Sequence, residues 1–410
     1  SGEGQIVLLS GEAGIGKSRL SMALYERIGS TPHINLRYHC SPHHTNSAHY
    51  PTIQQLEYAA GFEPEDSDDA RLDKLEALLW RGTDDISVAA PVIATLLGIP
   101  TEMRYGSIDL TRQQIKQRTF KILMEQLIGL SQDRPVLLLF EDVHWIDPTS
   151  LELIQALVEP IKQARVLMLV TYRSSWECPI ALSSPATQLP LSRLGSRDGS
   201  QIARAVAGTE IGDKIIANIV ERTDGIPLFL EELTRSIVES GLKLDRANIP
   251  ATLQASLLAR LDGLGSETKF ILQLGAVIGR EFRRDLLISV SELPEEDLDK
   301  HLETIVRSGL AFQHGPESQT SYVFKHNLLQ DAAYESLLLS TRETTHRKIA
   351  EILVSGKPDL GTFRPELAAY HFAAAKDQEN AILYYRQATQ SAIDRSANKE
   401  ALAHCHRALE

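Results

Sequence analysis

QIVLLSGEAGIGKSRLSMALYERIG, residues 5–29, decides the fold. Its opening run, 5–10, is apolar and reads as a buried strand, and 18–29 carries apolar residues at helical spacing. Between them stands Gly11-x4-Gly16-Lys17-Ser18. A strand before this spacing and a helix after it is the context that lets a glycine-rich loop cradle phosphate. The glycines let the backbone curl so that amides from roughly 13 to 18 point inward, and the helix N-terminus adds the positive end of its dipole. Lys17 can then reach β- and γ-phosphate oxygens while the Ser18 hydroxyl ligates magnesium. By composition the pattern should arise in about one random chain per hundred of this length, and its placement makes chance rarer. A tight glycine turn without a ligand is the weaker reading.

Further apolar runs at 34–40 (INLRYHC), 136–141 (VLLLFE), 166–172 (VLMLVTY) and 187–191 (TQLPL) read as buried strands. Helical stretches such as 111–130 and 149–163 alternate with them, so a mostly parallel sheet covered on both faces is expected. Asp147-Pro148 marks a helix start, with the carboxylate as N-cap and proline in the first turn. The expected P-loop nucleotidase domain spans 1–194.

Beyond residue 195 strand signals vanish. Helices near 197–207, 212–222 and 228–240 predict a small helical lid over 195–250. Helices and two strand-like stretches, GLAFQH and TSYVFKH around the turn GPESQ, predict a winged-helix unit over 251–340. From 341 to 410 the chain is alanine-rich and helical, with AILYYRQA and EALAHCHRAL spaced as in helical-hairpin repeats. The fold class is therefore α/β: a P-loop parallel sheet flanked by helices, then an α-helical lid, a winged helix and the start of an α-helical repeat. One or two repeats are marginal alone, and the first residues enter a strand almost at once, so a piece of a longer protein is expected.

Across 410 residues, 43% are apolar and 23% charged, a globular balance with room for two to four domains. No apolar run approaches a membrane span, and no signal peptide is visible. Three scattered cysteines, Cys40, Cys178 and Cys405, point to a reducing cytoplasm rather than a disulfide framework. The net charge of −12 argues against a phosphate-backbone partner.

VLLLFED ends a buried strand in two acids, Glu141 and Asp142, where magnesium and an attacking water would sit. Alone, such a pair also suits a strand end reaching solvent. Beside the loop it reads as the second half of the site. Arg173, ending VLMLVTYR, is a third candidate, able to read the γ-phosphate or simply to face water.

With GEAGIGKS, FEDVHWID, TYR at 171–173 and GIPLFLEEL at 225–233 in this order, the chain resembles the signal-transduction ATPases with numerous domains, the STAND class. It looks closest to the ATPase segment of bacterial proteins with a class III adenylate/guanylate cyclase domain upstream and tetratricopeptide-like repeats downstream. YHCSPHHTNSAHYP, RLDKLEALL, VIGREF and FKHNLLQDAAYESLL support this over nearly the whole chain. The resemblance implies a slow, regulatory ATPase that switches between ATP- and ADP-bound forms with Mg2+, and no cyclase chemistry in this stretch. It implies nucleotide contacts from Gly11, Glu12, Ala13, Gly14, Ile15, Gly16, Lys17, Ser18 and Arg19. Lys17 and Ser18 become the Walker A pair, Glu141 and Asp142 the Walker B acids, and Ser18 joins those acids on magnesium. Arg173 becomes a sensor arginine and Pro227 a lid contact. His326 becomes a winged-helix histidine that reaches the β-phosphate of ADP. Many members place Asp first where this chain has Glu141, so which acid holds metal stays open. From the residues alone His326 equally suits packing at the wing's end or capping the next helix. Partners implied are nucleotide, the other modules of the polypeptide and proteins bound through the repeats. The ATP state is compatible with an oligomer.

Two other classes compete. A ring-forming AAA motor would need an arginine finger, for which Arg118 is the least implausible residue. A DNA-binding regulator would use the winged helix, yet 251–340 holds eight Lys/Arg against thirteen Asp/Glu and would repel phosphate. His39, Cys40, His43, His44 and His49 invite a zinc reading, but no second ligand pair follows at finger spacing. Loop packing is expected instead. Around Cys405, His404 and His406 point to different faces of a helix, in solvated or packing roles. EPEDSDD, 63–69, is expected as a solvated loop.

Overall fold

The computed structural model of the chain describes residues 2–29, 31–63, 65–83, 85–183, 186–208, 211–239, 252–314, 320–356 and 363–410. They group into two units. The first comprises Ser1–Ser10, Ser18–Pro190 and Leu353–Glu410. Its sheet is built from β1 (Gln5–Ser10), β2 (Ile34–His39), β3 (Val136–Glu141), β4 (Val166–Tyr172) and β5 (Thr187–Pro190), in the order β2-β3-β4-β1-β5. Every pairing is parallel, so the strands' C-terminal ends share one edge. β3 is buried at all six positions, as an unbroken apolar run should be when both faces are covered. β5 corrects the expectation of a buried strand at 187–191. It is exposed throughout, because it pairs with β1 alone and forms the sheet's margin.

Helix α1 (Lys17–Ile28) follows β1. Between β2 and β3 run α2 (Tyr50–Ala60), α3 (Asp68–Leu79), α4 (Ile86–Leu96), α5 (Glu102–Tyr105) and α6 (Arg112–Asp133). They bury a core of their own around Ile53, Leu75, Ile93 and Ile122. A reciprocal capping box of Thr111 and Gln114 starts α6. The acidic stretch 63–69 is not all loop, which corrects that expectation. Ser67 caps α3 by accepting from the Ala70 amide, and Asp68 and Asp69 lie in its first turn, where negative charge meets the positive helix end. α7 (Pro148–Ile161) connects β3 to β4, and α8 (Pro179–Ser183) precedes β5. Asp147 caps α7, accepting from the Ser150 amide with Pro148 at the first turn, as its sequence foretells. The unit also takes in α18 (Pro365–Ala374), α19 (Gln378–Asp394) and α20 (Asn398–Leu409), packed in succession. Ala392 of α19, Ala397 at the start of α20 and Ala401 of α20 share a buried cluster with Ala48.

The second unit comprises Gly11–Lys17 and Leu191–Ile352. α9 (Ser196–Ala207), α10 (Asp213–Thr223) and α11 (Pro227–Glu239) enclose a core that includes Ala203, Ile216, Ile219 and Leu230. Then come α12 (Leu253–Asp262), α13 (Ser266–Ile278), β6 (Glu281–Arg283), α14 (Arg284–Ser291), α15 (Glu295–Arg307), β7 (Ala311–His314), β8 (Ser321–Phe324), α16 (Asn327–Glu335) and α17 (Leu339–Ser355). β6, β8 and β7 form an antiparallel sheet in that order. Two of these strands are legible in the sequence. β6, three residues that begin at the end of VIGREF, is too short to display alternation and is fixed by the Phe282 ring stacking on Tyr322. The GPESQ turn and the 240–250 linker lie outside the described residues. Among the described residues no helix is long and apolar enough to cross a membrane.

Candidate nucleotide site

The loop between β1 and α1 owes its shape to two glycines. Gly14 has φ +77° and Gly16 φ +106°, where an L side chain is strained. A Cβ on Gly14 would also lie 3.1 Å from the Leu228 Cβ. Lys17 is buried, and its ammonium donates to the carbonyls of Gly11 (2.8 Å) and Glu12 (2.9 Å). No acid occupies the first turn of α1, so no carboxylate of that turn offsets its N-terminal dipole. Ser18 and Arg19 are exposed, and Arg19 pairs with Glu26 at 3.2 Å.

The GIPLFLEEL segment meets this loop. The Leu228 amide donates to the Gly14 carbonyl at 3.1 Å, directly after Pro227, the first residue of α11. Gly225, at φ +69°, lies so close to Leu194 that a Cβ would come within 2.2 Å of its carbonyl oxygen. Arg193 completes the arrangement, its Nη2 2.9 Å from Glu12 Oε2. The glycine loop and the start of α11 therefore form one hydrogen-bonded assembly within the second unit.

In the first unit, Glu141 is 2% exposed. Arg37 Nη2 lies 2.6 Å from its Oε2 and His39 Nδ1 3.6 Å. Asp142 is only half-buried and adopts the left-handed region at φ +57°. Its amide donates to Thr171 Oγ1 on β4 at 3.0 Å. Arg173, just past β4, lies 5.7 Å over the Trp145 ring. The two acids thus share a strand end but differ in setting, one buried against a cation and one at the surface.

His326 ends the stretch after β8. Its side chain does not cap α16, and its Nε2 is buried without a hydrogen-bond partner among the described residues. Burial pushes its pKa down to about 4, helped by the nearby charges of Lys325, Arg280 and Arg260. Beside it, Lys325 Nζ lies 2.7 Å from Glu231 of α11.

Residues 1–170 match the family described as AAA ATPase domain. These residues are an AAA ATPase domain. Over 423 aligned residues the chain is 26% identical to an uncharacterized protein of Rhizobium meliloti (strain 1021), covering 100% of this chain and 40% of that protein. A crystal structure of a Signal Transduction ATPase with Numerous Domains (STAND) protein with a tetratricopeptide repeat sensor, from Pyrococcus horikoshii, is similar over 98% of this chain and 51% of its own, at TM-score 0.57 and 14% identity. That likeness shows the fold, a parallel P-loop sheet flanked by helices. A RuvB mutant of Thermotoga maritima matches 81% of this chain and 89% of its own at TM-score 0.32 and 14% identity. The chain spans less than half of its curated relative and about half of the STAND structure.

Within the AAA domain, the partners of Glu141 escape a reading of motifs. Their signal is present all the same: INLRYH alternates, placing Asn35, Arg37 and His39 on one face of an edge strand. The histidines between 39 and 49 include two packed against tyrosine rings. His44 stacks on Tyr50 with centroids 3.6 Å apart, and His43 tilts against Tyr370 at 5.2 Å. Farther on, His404 is buried, its ring nitrogen 3.0 Å from the Asn46 carbonyl, while Cys405 is exposed. Arg118 lies exposed on α6.

Proposed function

We propose that this chain is the nucleotide switch of a larger cytoplasmic regulator: it binds ATP or ADP, hydrolyses ATP slowly, and passes the difference to neighbouring modules. The observation that carries it is the hydrogen bond from Leu228 to Gly14. A phosphate loop held by the start of α11 changes its contacts when the bound phosphates change, which is what a switch requires.

In this reading Gly11 to Arg19 wrap the phosphates and Lys17 supplies the cation opposite the β- and γ-oxygens. The Ser18 hydroxyl and the carboxylates of Glu141 and Asp142 are hard oxygen donors of the kind magnesium prefers, so these residues fit that ion. Bound there, it would neutralise charge on the phosphates. Asp142, nearer the surface, orients the water. Arg173 senses the γ-phosphate, Pro227 contacts the nucleotide, and His326 reaches the β-phosphate of ADP. We assign 1–194 to the nucleotidase, 195–250 to the lid, 251–340 to a winged helix and 341–410 to the start of tetratricopeptide-like repeats. The parent protein is of the cyclase-linked kind that its motifs resemble, with protein partners at the repeats.

Calorimetry with ATP and ADP, followed by light scattering in each, tests the proposal. Nanomolar to micromolar binding with a change of hydrodynamic size or protease pattern between nucleotides supports a switch. A closed ring in ATP with rapid turnover would move the protein to the motor class, and equal behaviour in both nucleotides would remove the switch.

A further inference from the structure

Helix α7 begins at Pro148, soon after Asp142, and its N-terminus is satisfied from two directions. Asp147 Oδ1 accepts from the Ser150 amide at 2.8 Å and from the His49 amide at 3.1 Å. The Thr149 amide instead donates to Oε1 of Glu400 on α20, at 2.8 Å. Both carboxylates and Thr149 are 1% exposed. A helix normally caps its first turn with neighbours in sequence. Here one first-turn amide depends on a residue 251 positions away, delivered by the repeat-like helices.

What lies between α7 and the acid pair is short and taut. Val143–Trp145 form a single 3-10 turn. Asp142 stands before it in the left-handed region, a conformation that a non-glycine residue keeps only when its surroundings enforce it. One restraint is its amide bond to Thr171, and the other is the anchored start of α7. The docking of α20 is reinforced by His404 on the Asn46 carbonyl and by Lys399, 3.3 Å from Glu152 of α7. The small Ala397 and Ala401 let the backbone approach Ala48.

We propose that Glu400 is a positioning residue for the acid pair, coupling the seating of α18–α20 to the geometry of Asp142. A partner that draws these helices away withdraws the Glu400 carboxylate, frees the start of α7 and relaxes Asp142. The inference rests on the ATPase reading above for its consequence, but not for the coupling itself.

The test compares Glu400→Ala and Glu400→Gln in the whole chain. Hydrogen exchange is followed at Thr149 and at the Asp142 amide, with core amides of β3 and β4 as reference, and ATP turnover and affinity are measured in parallel. In Glu400→Ala, exchange at Thr149 and Asp142 should rise at least about tenfold while β3 and β4 stay protected. The kcat for ATP should fall about tenfold with ATP affinity within about twofold, as when an aligned group is misplaced. Glu400→Gln, which keeps an acceptor oxygen, should restore all of these. Faster exchange at Thr149 alone would make Glu400 a cap and overturn the coupling. Uniformly faster exchange would reduce it to general stability, and failure of Gln to rescue would overturn the hydrogen-bond account. A parent protein without ATP turnover would sink the ATPase reading, and the exchange at Asp142 would still decide the coupling.

Discussion

Arg37 and Glu141 are joined through a single carboxylate oxygen: Nη2 lies 2.6 Å and Nε 2.7 Å from the same Oε2. The contact crosses from β2 to β3, whose His39 and Glu141 are direct neighbours in register. It ties one oxygen of the buried acid to a cation and leaves Asp142 as the one nearer solvent.

The two acids should therefore fail differently. Asp142→Asn should bind ATP yet hydrolyse it at least about tenfold more slowly, the scale of a lost water-orienting group. Glu141→Gln should weaken the magnesium dependence of ATP binding. Steady-state turnover and magnesium titrations check both. Exchanged phenotypes would exchange the roles, and full activity in both variants would remove the pair from the chemistry.

Lys17→Ala should abolish tight ATP binding, because the loop loses the cation it is wrapped around. Calorimetry showing parental affinity in this variant would sink the phosphate-loop assignment.

His326→Ala should lower ADP affinity by roughly 10- to 150-fold while leaving the fold intact, the range of coupling when one phosphate contact exists in a single state. The buried, unpartnered Nε2 gives the ring a donor or acceptor to offer. ADP titrations and circular dichroism are the measurements. Equal ADP affinity would leave His326 a packing residue. Greater protease sensitivity in 240–250 is also expected, although that linker is outside the described residues.

Acid should loosen the protein. Burial pushes His43 down to about 4 and His49 to about 3, and His326 to about 4. Their folded pKa values lie below the unfolded value near 6.5. The unfolded chain therefore takes up protons first, and stability falls as pH drops from about 6.5 toward 4. Asp147 works in the opposite sense. Burial and then the Glu400 charge outweigh its hydrogen bonds and raise it to about 7, so its contribution is lost as pH rises from about 4 to 7. Burial pushes His44 and His404 down as well, so the depressed histidines outnumber the one raised carboxyl and leave a net loss on acidification. His49→Asn, which tolerates the left-handed backbone at φ +62°, should flatten the slope of denaturation midpoint against pH. A slope identical to the parent's would show that His49 does not titrate with unfolding.

What the sequence disclosed was what is local. Gly11 to Ser18, the run VLLLFE and the Asp147-Pro148 start each carry their meaning within a few residues, because turn, strand and cap chemistry act at that range. The Arg37–Glu141 pair needed the strand order, which residue spacing does not encode. Thr187–Pro190 is apolar enough to read as interior, yet its position at the margin is set by which strand finds β1. Glu400 is one acid among many in an alanine-rich helix until the fold carries it to α7. The role given to Pro227 comes from the resemblance, Arg173 is offered also by its place at a strand end, and the Trp145 ring under Arg173 suits packing as well as sensing.

The sheet's wiring governs the order in which the chain comes together. Gln5 pairs with Leu167, Val7 with Thr187 and Ile34 with Val136. β3 and β4 are consecutive and pair across α7, whereas β1 and β2 close only on strands far along the chain, and such distant pairings are reached slowly. The helical insertion between β2 and β3 has its own core and can collapse first, shortening the search for β3. β1 waits longest, since both of its neighbours are still to be synthesised when it leaves the ribosome. Hung from its end, the glycine loop is among the last parts to take shape, so nucleotide would act on the nascent protein as a late seal rather than as a seed.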